Sequence, residues 1–387
     1  MKPHLKGLNR FGLLYFAVTS WALTYFSPLS VSAITERFSV SASTSGWLVS
    51  AKLLTMAIAS ILYGSKFNHL PKRRSILLAS VVGMTALAAT ISASSVQEFV
   101  VASVIVGAAF GVIGSCAYAM PAYFSHPEKI YAQNTILMSV IYASAFYCMP
   151  TLYRHLNLIS LEVFEFGLLA VGLGVLLKFP DTPPHIMAPK RSQVSAEKWL
   201  TAYSGAGLFA VFSLFMAVSA CSAFSIVPAK DLGIPMDQLQ FAFAASALAQ
   251  LPMGTLVNFL GGKYGNTKPI LLGNFMLAIS GISIFYGDSH LFFLLAVGGL
   301  PVWATLVSPY QMGNLGRIDH SGRSSSIGNA MANFGCATGP ALAGALYPLS
   351  GAIGLVGVVC LILTLSSFVA FFISNYLSSK NSALEPT

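Results

Sequence analysis

The chain has 387 residues, of which 55% are hydrophobic and only 9% charged, and its formal net charge is +9. A soluble domain carries about 25% charged residues, so this chain cannot clothe itself for water, and most of its exterior must face lipid. Nor does the positive balance mark a nucleic-acid binder, because the basic residues form no stripe and fall in short connectors between apolar runs.

The chain begins with Lys2, Lys6 and Arg10, and an apolar run then extends from Phe11 to Ile34. Val31-Ser32-Ala33 resembles a cleavage site, but the run exceeds the roughly 7–15 residues of a signal-peptide core. It is read as an uncleaved first membrane helix. With about 20 apolar residues needed per crossing, the pattern predicts twelve helices: 11–33, 45–63, 75–93, 97–120, 131–150, 160–178, 200–225, 239–258, 269–287, 291–314, 324–346 and 352–375. The fold class expected is an all-α membrane protein. Phe179–Lys198 contains Pro180, Pro183, Pro184 and Pro189 and the pair Lys190-Arg191. Proline ends helices and extends the chain, so 179–198 is the expected linker between six-helix bundles at 1–178 and 199–387.

The charges test this topology. Only Arg37, Arg154 and Lys230 fall in connectors on the outer side, and Lys52 falls inside a helix; the remainder of the 21 Lys and Arg lie on the opposite side. Basic residues collect on the cytoplasmic side of a membrane, which places both termini in the cytoplasm and the protein in the cytoplasmic (inner) membrane as a multi-pass chain. Cys116, Cys148, Cys221, Cys336 and Cys360 all sit in apolar segments without a C-x-x-C pair, and the seven histidines lack metal-ligand spacing. The cysteines read as small buried hydrophobes, and neither a metal nor any other cofactor is expected.

One short stretch occurs twice. Gly64–Ile76 reads G-S-K-F-N-H-L-P-K-R-R-S-I, and a second copy from Gly254 reads G-T-L-V-N-F-L-G-G-K. Each is a glycine, an asparagine four residues on (Asn68, Asn258) and a basic cluster, which is Lys72 and Arg73 in the first copy. Glycine permits a tight turn, and an asparagine amide can bond a helix end. The plainer reading is a topogenic turn.

These residues resemble the major facilitator superfamily of transporters, whose signature between helices 2 and 3 is G-x-L-a-D-R-x-G-R-K-x-x-L. Gly64, Lys72, Arg73 and Ile76 match it; Asn68 replaces the family's Asp and Pro71 its Gly. The second copy matches at Gly254, Leu256, Gly261 and Lys263, with Asn258 again in the Asp position. The resemblance implies two six-helix bundles related by a pseudo-twofold axis, a central cavity lined by helices 1, 4, 7 and 10, alternating access, and Gly64, Asn68, Lys72, Arg73, Gly254 and Asn258 as a gating loop. The family's helix 4 Arg is missing, with Ser103 in its place, and helix 5 lacks the exporters' G-x-x-x-G-P pattern. A related pattern does occur in helix 11, at Gly335, Gly339 and Pro340, and is read as a packing face.

Lys52 stands about 10 Å into helix 2. A charge at that depth is costly, so it either contacts substrate, pairs internally or snorkels outward; facing a cavity, it would favour an anionic solute. Glu162 and Glu165, near the outer end of helix 6, read as interfacial or packing residues in preference to a proton site. Helical spacing adds Trp21, Thr24 and Tyr25 on helix 1, Tyr118 on helix 4, and Trp303, Tyr310 and Gln311 on helix 10 as substrate-binding candidates, with the plainer alternative that each packs. The function expected is secondary transport of a small organic solute, tilted towards uptake, by a monomer in the lipid bilayer with protons as the candidate coupling ion. The rivals are an efflux antiporter and a membrane sensor on the same scaffold. A lipid-modifying enzyme would need clustered His, Asp or Cys at membrane depth.

Overall fold

The computed structural model describes residues 7–384 except 41, 67–69, 125, 157–158, 177–200, 261–264, 320–321 and 351–353. Asn68, Gly261, Lys263 and the proline-rich connector therefore lie outside the described residues. Within them the chain forms helices and no strand.

Eleven of the twelve predicted spans are single helices. The first breaks in two and a short helix follows the seventh, giving fourteen α-helices among the described residues. The first span is α1 (Gly7–Tyr25) and α2 (Ser27–Phe38), followed by α3 (Ala42–Ser65), α4 (Lys72–Ser92), α5 (Val96–Ala119), α6 (Pro127–Leu156) and α7 (Ser160–Leu176). The seventh span is α8 (Ala202–Phe224), and beyond it lie α9 (Ile226–Asp231), α10 (Met236–Leu260), α11 (Thr267–Tyr286), α12 (His290–Ile318), α13 (Arg323–Ser350) and α14 (Gly354–Leu384). Seven of these helices are long and apolar enough to cross a membrane by length and composition alone.

A proline stands at each of the two discontinuities. Pro28 and Pro228 have no backbone N–H to give the carbonyl one turn earlier. Ser27 Oγ donates to the Thr24 carbonyl that Pro28 leaves open, at 2.9 Å. Side-chain hydroxyls can re-satisfy backbone freed in this way where water is absent.

Two compact units result. The first comprises the described residues within Met1–Phe124, Ser144–Ala196 and His320–Asn333; the second comprises those within Ser125–Ala143, Glu197–Asp319 and Phe334–Thr387. Each unit thus includes a helix segment from the other half of the sequence: the start of α13 in the first and the start of α6 in the second. In the first unit Leu13, Phe16, Phe26, Met56, Phe110 and Leu169 are buried. In the second, Leu214, Val257, Ile270, Phe293, Val307, Tyr310 and Phe371 form one apolar core. Large apolar side chains remain on the outside, with Leu78 on α4 65% exposed and Phe275 on α11 61% exposed. Such surfaces suit hydrocarbon and not water.

Two local devices hold helix ends and faces. The Arg37 guanidinium, at the end of α2, donates to the carbonyls of Thr90, Ile91 and Ala93 at 3.0, 2.9 and 2.8 Å. It thereby caps α4, whose final carbonyls have no helical partner, while lying 5.0 Å from the Phe38 ring centre. In the second unit, a Cβ added at Gly335 or Gly339 would come within 2.6 Å of the Phe212 or Met216 carbonyl oxygen. The helix 11 glycines therefore let α8 and α13 backbones touch, and Ser219 Oγ donates across that seam to the Cys336 carbonyl at 2.8 Å. One cysteine departs from expectation: Cys148 on α6 is exposed, while Cys116, Cys221 and Cys360 are buried. An apolar thiol needs no burial where the exterior is itself apolar.

Candidate functional site

A buried polar seam runs through the first unit. On α1, Trp21 and Thr24 are three residues apart and share a face; on α13, Asn329 and Asn333 are four apart and do the same. The Trp21 indole Nε1 donates to Asn329 Oδ1 at 3.2 Å, and Thr24 Oγ1 donates to Asn333 Oδ1 at 3.5 Å. An indole nitrogen can only donate, so the Asn329 atom it meets is the oxygen, and the amide orientation follows. Nδ2 of Asn329 and Nδ2 of Asn333 are then left buried without a hydrogen-bond partner, in residues 1% and 0% exposed. Two amide donors one helical turn apart are thus unspent. Tyr118 on α5 sets its ring 6.5 Å from the Trp21 ring, tilted by 51°.

Hydroxyls continue the seam beside this pair. Ser60 Oγ donates to the Gly111 carbonyl at 2.8 Å, and Ser115 Oγ donates to the Ser60 carbonyl at 3.1 Å. Ser115 and Ser326 hydroxyls also touch; with its own proton committed to Ser60, Ser115 accepts and Ser326 donates.

Both copies of the repeated loop grip a helix drawn from the opposite half of the sequence. A Cβ at Gly64 would fall 2.7 Å from Ser326 Oγ and 3.2 Å from Ile327 on α13. A Cβ at Gly254 would fall 3.0 Å from Ile136 on α6, and Asn258 Oδ1 accepts from Gln133 Nε2, also on α6, at 3.1 Å. Lys72 is buried at the start of α4, and its Nζ donates to the Leu70 carbonyl at 3.0 Å; Arg73 is half-buried in the same turn. In the second unit the contact has an ionic lock that the motif did not forecast. Glu128, fully buried on α6, meets Arg317 of α12 at 2.9 Å and the His126 ring at 3.2 Å.

The remaining predicted residues are distributed differently. Lys52 Nζ lies 3.1 Å from Glu165 Oε2 on α7, with the Glu165 side chain fully buried. Glu162 and Glu165 are therefore interior groups and not interfacial ones, because α7 turns both towards the bundle. Tyr25 closes α1 and is half-buried. In the second unit, Tyr310 is fully buried in the apolar core and Trp303 packs against that core. Gln311 Nε2 donates to Ser367 Oγ on α14 at 2.9 Å, and Asn314 Nδ2 donates to Ser374 Oγ on α14 at 3.1 Å. Asn329, Asn333, Ser326 and Glu128 were not among the residues singled out from the sequence. The first three stand in a stretch whose glycines point to packing, yet two asparagines four apart in a membrane helix were a visible signal.

Comparison with known proteins agrees with this architecture. The model of the Major Facilitator Superfamily matches residues 12–229 and 207–386, and the chain belongs to that family. It is a multi-pass membrane protein with the fold of a secondary transporter. Among curated proteins nothing matches the sequence. The structure is similar to that of the human organic anion transporter MFSD10 (TETRAN), with TM-score 0.72 and 16% identity, covering 96% of this chain and 100% of the other. It is similar to the proton:xylose symporter XylE, with TM-score 0.74 and 14% identity over 94% of each chain. The E. coli fucose:proton symporter FucP gives TM-score 0.68 and 16% identity over 95% of this chain and 98% of the other.

Proposed function

We propose that the protein is a proton-coupled importer of a small polar organic solute, working by alternating access as a monomer in the cytoplasmic membrane with both termini inside. The observation that carries the solute class is the pair of unspent amide donors on Asn329 and Asn333, framed by Trp21, Thr24 and Tyr118. Donors of this kind suit a ligand rich in hydroxyl or carbonyl oxygens, and the aromatic rings suit its apolar faces. Lys52 has its charge met by Glu165, which leaves the seam itself neutral and favours an uncharged solute. Proton coupling draws support from XylE and FucP, both titled proton symporters of sugars. MFSD10, titled an organic anion transporter, supports a second reading in which the oxygens recognised belong to a carboxylate.

The test is uptake into proteoliposomes of a labelled panel of neutral polyols, sugars and organic acids, with and without an inward proton gradient. Uptake of a neutral polyhydroxyl compound, accelerated by the gradient, is the expected result. Asn329→Ala and Asn333→Ala should each weaken its apparent affinity about tenfold, the equivalent of one hydrogen bond of about 1.4 kcal/mol. No flux across the panel, or unchanged affinity in both variants, would overturn the reading.

A further inference from the structure

The charges buried beside α7 in the first unit do not balance. α7 carries Glu162 and Glu165, three residues apart and so on one face of the helix. α3 offers a single cation, Lys52, and it is spent on Glu165 at 3.1 Å. Glu162 is 8% exposed, and its Oε2 is buried with no hydrogen-bond partner. The other elements packed on α7 do not correct the deficit. From α1, Tyr15 donates its hydroxyl to the Leu168 carbonyl at 2.7 Å. From α4, no Asp, Glu, Lys, Arg or His occurs beyond the three basic residues of its first turn. Lys52 and, less strongly, Arg37 on α2 act on Glu162 from a distance, but Lys52 pairs with Glu165 and the Arg37 guanidinium is held by three carbonyls at the end of α4.

A carboxylate buried without a partner costs several kcal/mol, about what protonation removes. We infer that Glu162, Glu165 and Lys52 form a proton-binding site in which the two carboxyls hold one proton between them. The proton adds to one carboxylate to give a neutral acid, which then donates to the remaining carboxylate one turn away. That carboxylate also faces the Lys52 ammonium, so the three groups together carry no net charge. Such a group loads a proton where the outer end of α7 meets water and is neutral when enclosed, the property a coupling site needs. The role in transport rests on the proton-coupled reading above; the bound proton does not, because it follows from the local count of charges.

Infrared spectroscopy tests the proton directly. Purified protein in lipid nanodiscs at neutral pH is compared with its variants through the C=O stretch of protonated carboxyls, identified by its shift in deuterated water. Glu162→Gln should remove one carboxylic-acid equivalent from the spectrum, and Glu165 should then remain ionised opposite Lys52. Lys52→Met should add one equivalent, since both carboxyls must then be neutral. The two variants change the spectrum in opposite directions, and misfolding of either cannot imitate that pair of results. An unchanged acid band in Glu162→Gln with loss of a carboxylate band would show Glu162 ionised and overturn the site. If the band behaves as expected and a proton gradient still drives no uptake, the site stands and the coupled-transport reading falls. If a gradient drives uptake and the band is insensitive to both variants, that reading stands and this site falls.

Discussion

Replacing Arg317 should expose the energetics of the Glu128 lock. Glu128 is fully buried, its side chain 1% exposed, and it contacts Arg317 Nη2 at 2.9 Å and His126 Nδ1 at 3.2 Å. Removing one partner from a buried pair costs about 3–5 kcal/mol, because the other charge is stranded. Here the Arg317 side chain is itself 40% exposed and His126 stays in reach, so about half that, roughly 2 kcal/mol, is the working figure for Arg317→Ala. Glu128→Gln keeps the shape and removes the stranded charge, at about 1 kcal/mol. The double variant should cost little more than Glu128→Gln alone, about 1.5 kcal/mol, which gives a coupling near 1.5 kcal/mol. Equilibrium unfolding of the four proteins in mixed micelles with increasing denaturing detergent measures this cycle. Additivity within about 0.3 kcal/mol would refute an ionic lock between α6 and α12 and leave a contact without energetic consequence.

Two further outcomes follow from close contacts. Gly64→Val should destabilise the first unit more than Gly254→Val destabilises the second. The added Cβ meets the buried Ser326 hydroxyl at 2.7 Å in one case and the Ile136 side chain at 3.0 Å in the other, and overpacking of this kind costs about 1–3 kcal/mol; equal thermal shifts for the two would contradict the geometry. Arg37→Lys should lower stability by about 1–3 kcal/mol, because an ammonium cannot reproduce the fork that serves three carbonyls, and hydrogen exchange should rise at the C-terminal end of α4. Unaltered exchange there would remove Arg37 from the role of cap.

The twelve spans were legible because a bilayer imposes a length on every crossing, and apolar runs bounded by charge or proline record that length directly. The prolines at the two discontinuities, Pro28 and Pro228, were also written in the chain, but that the Thr24 carbonyl freed by Pro28 is met by the Ser27 hydroxyl is a matter of local geometry. Gly64 and Gly254 could be recognised as a repeat, whereas their partners could not: Ser326 and Ile136 are each far along the chain, and hydropathy carries no pairing information. Lys52 announced itself as a costly charge. That Glu165, 113 residues away, answers it is a fact of how α3 and α7 meet.

Composition and periodicity by themselves determined a polytopic helical chain with a repeated turn, since each is a local response to solvent and lipid. Tertiary structure alone decided which polar groups are satisfied. It consumed Gln311 and Asn314 in ties to α14, left the Asn329 and Asn333 amide nitrogens unspent, and left Glu162 Oε2 buried without a hydrogen-bond partner. Whether a buried donor or carboxyl has a partner depends on side chains brought together from distant segments, and in a low-dielectric interior the presence of that partner fixes both the cost of the group and what it can bind.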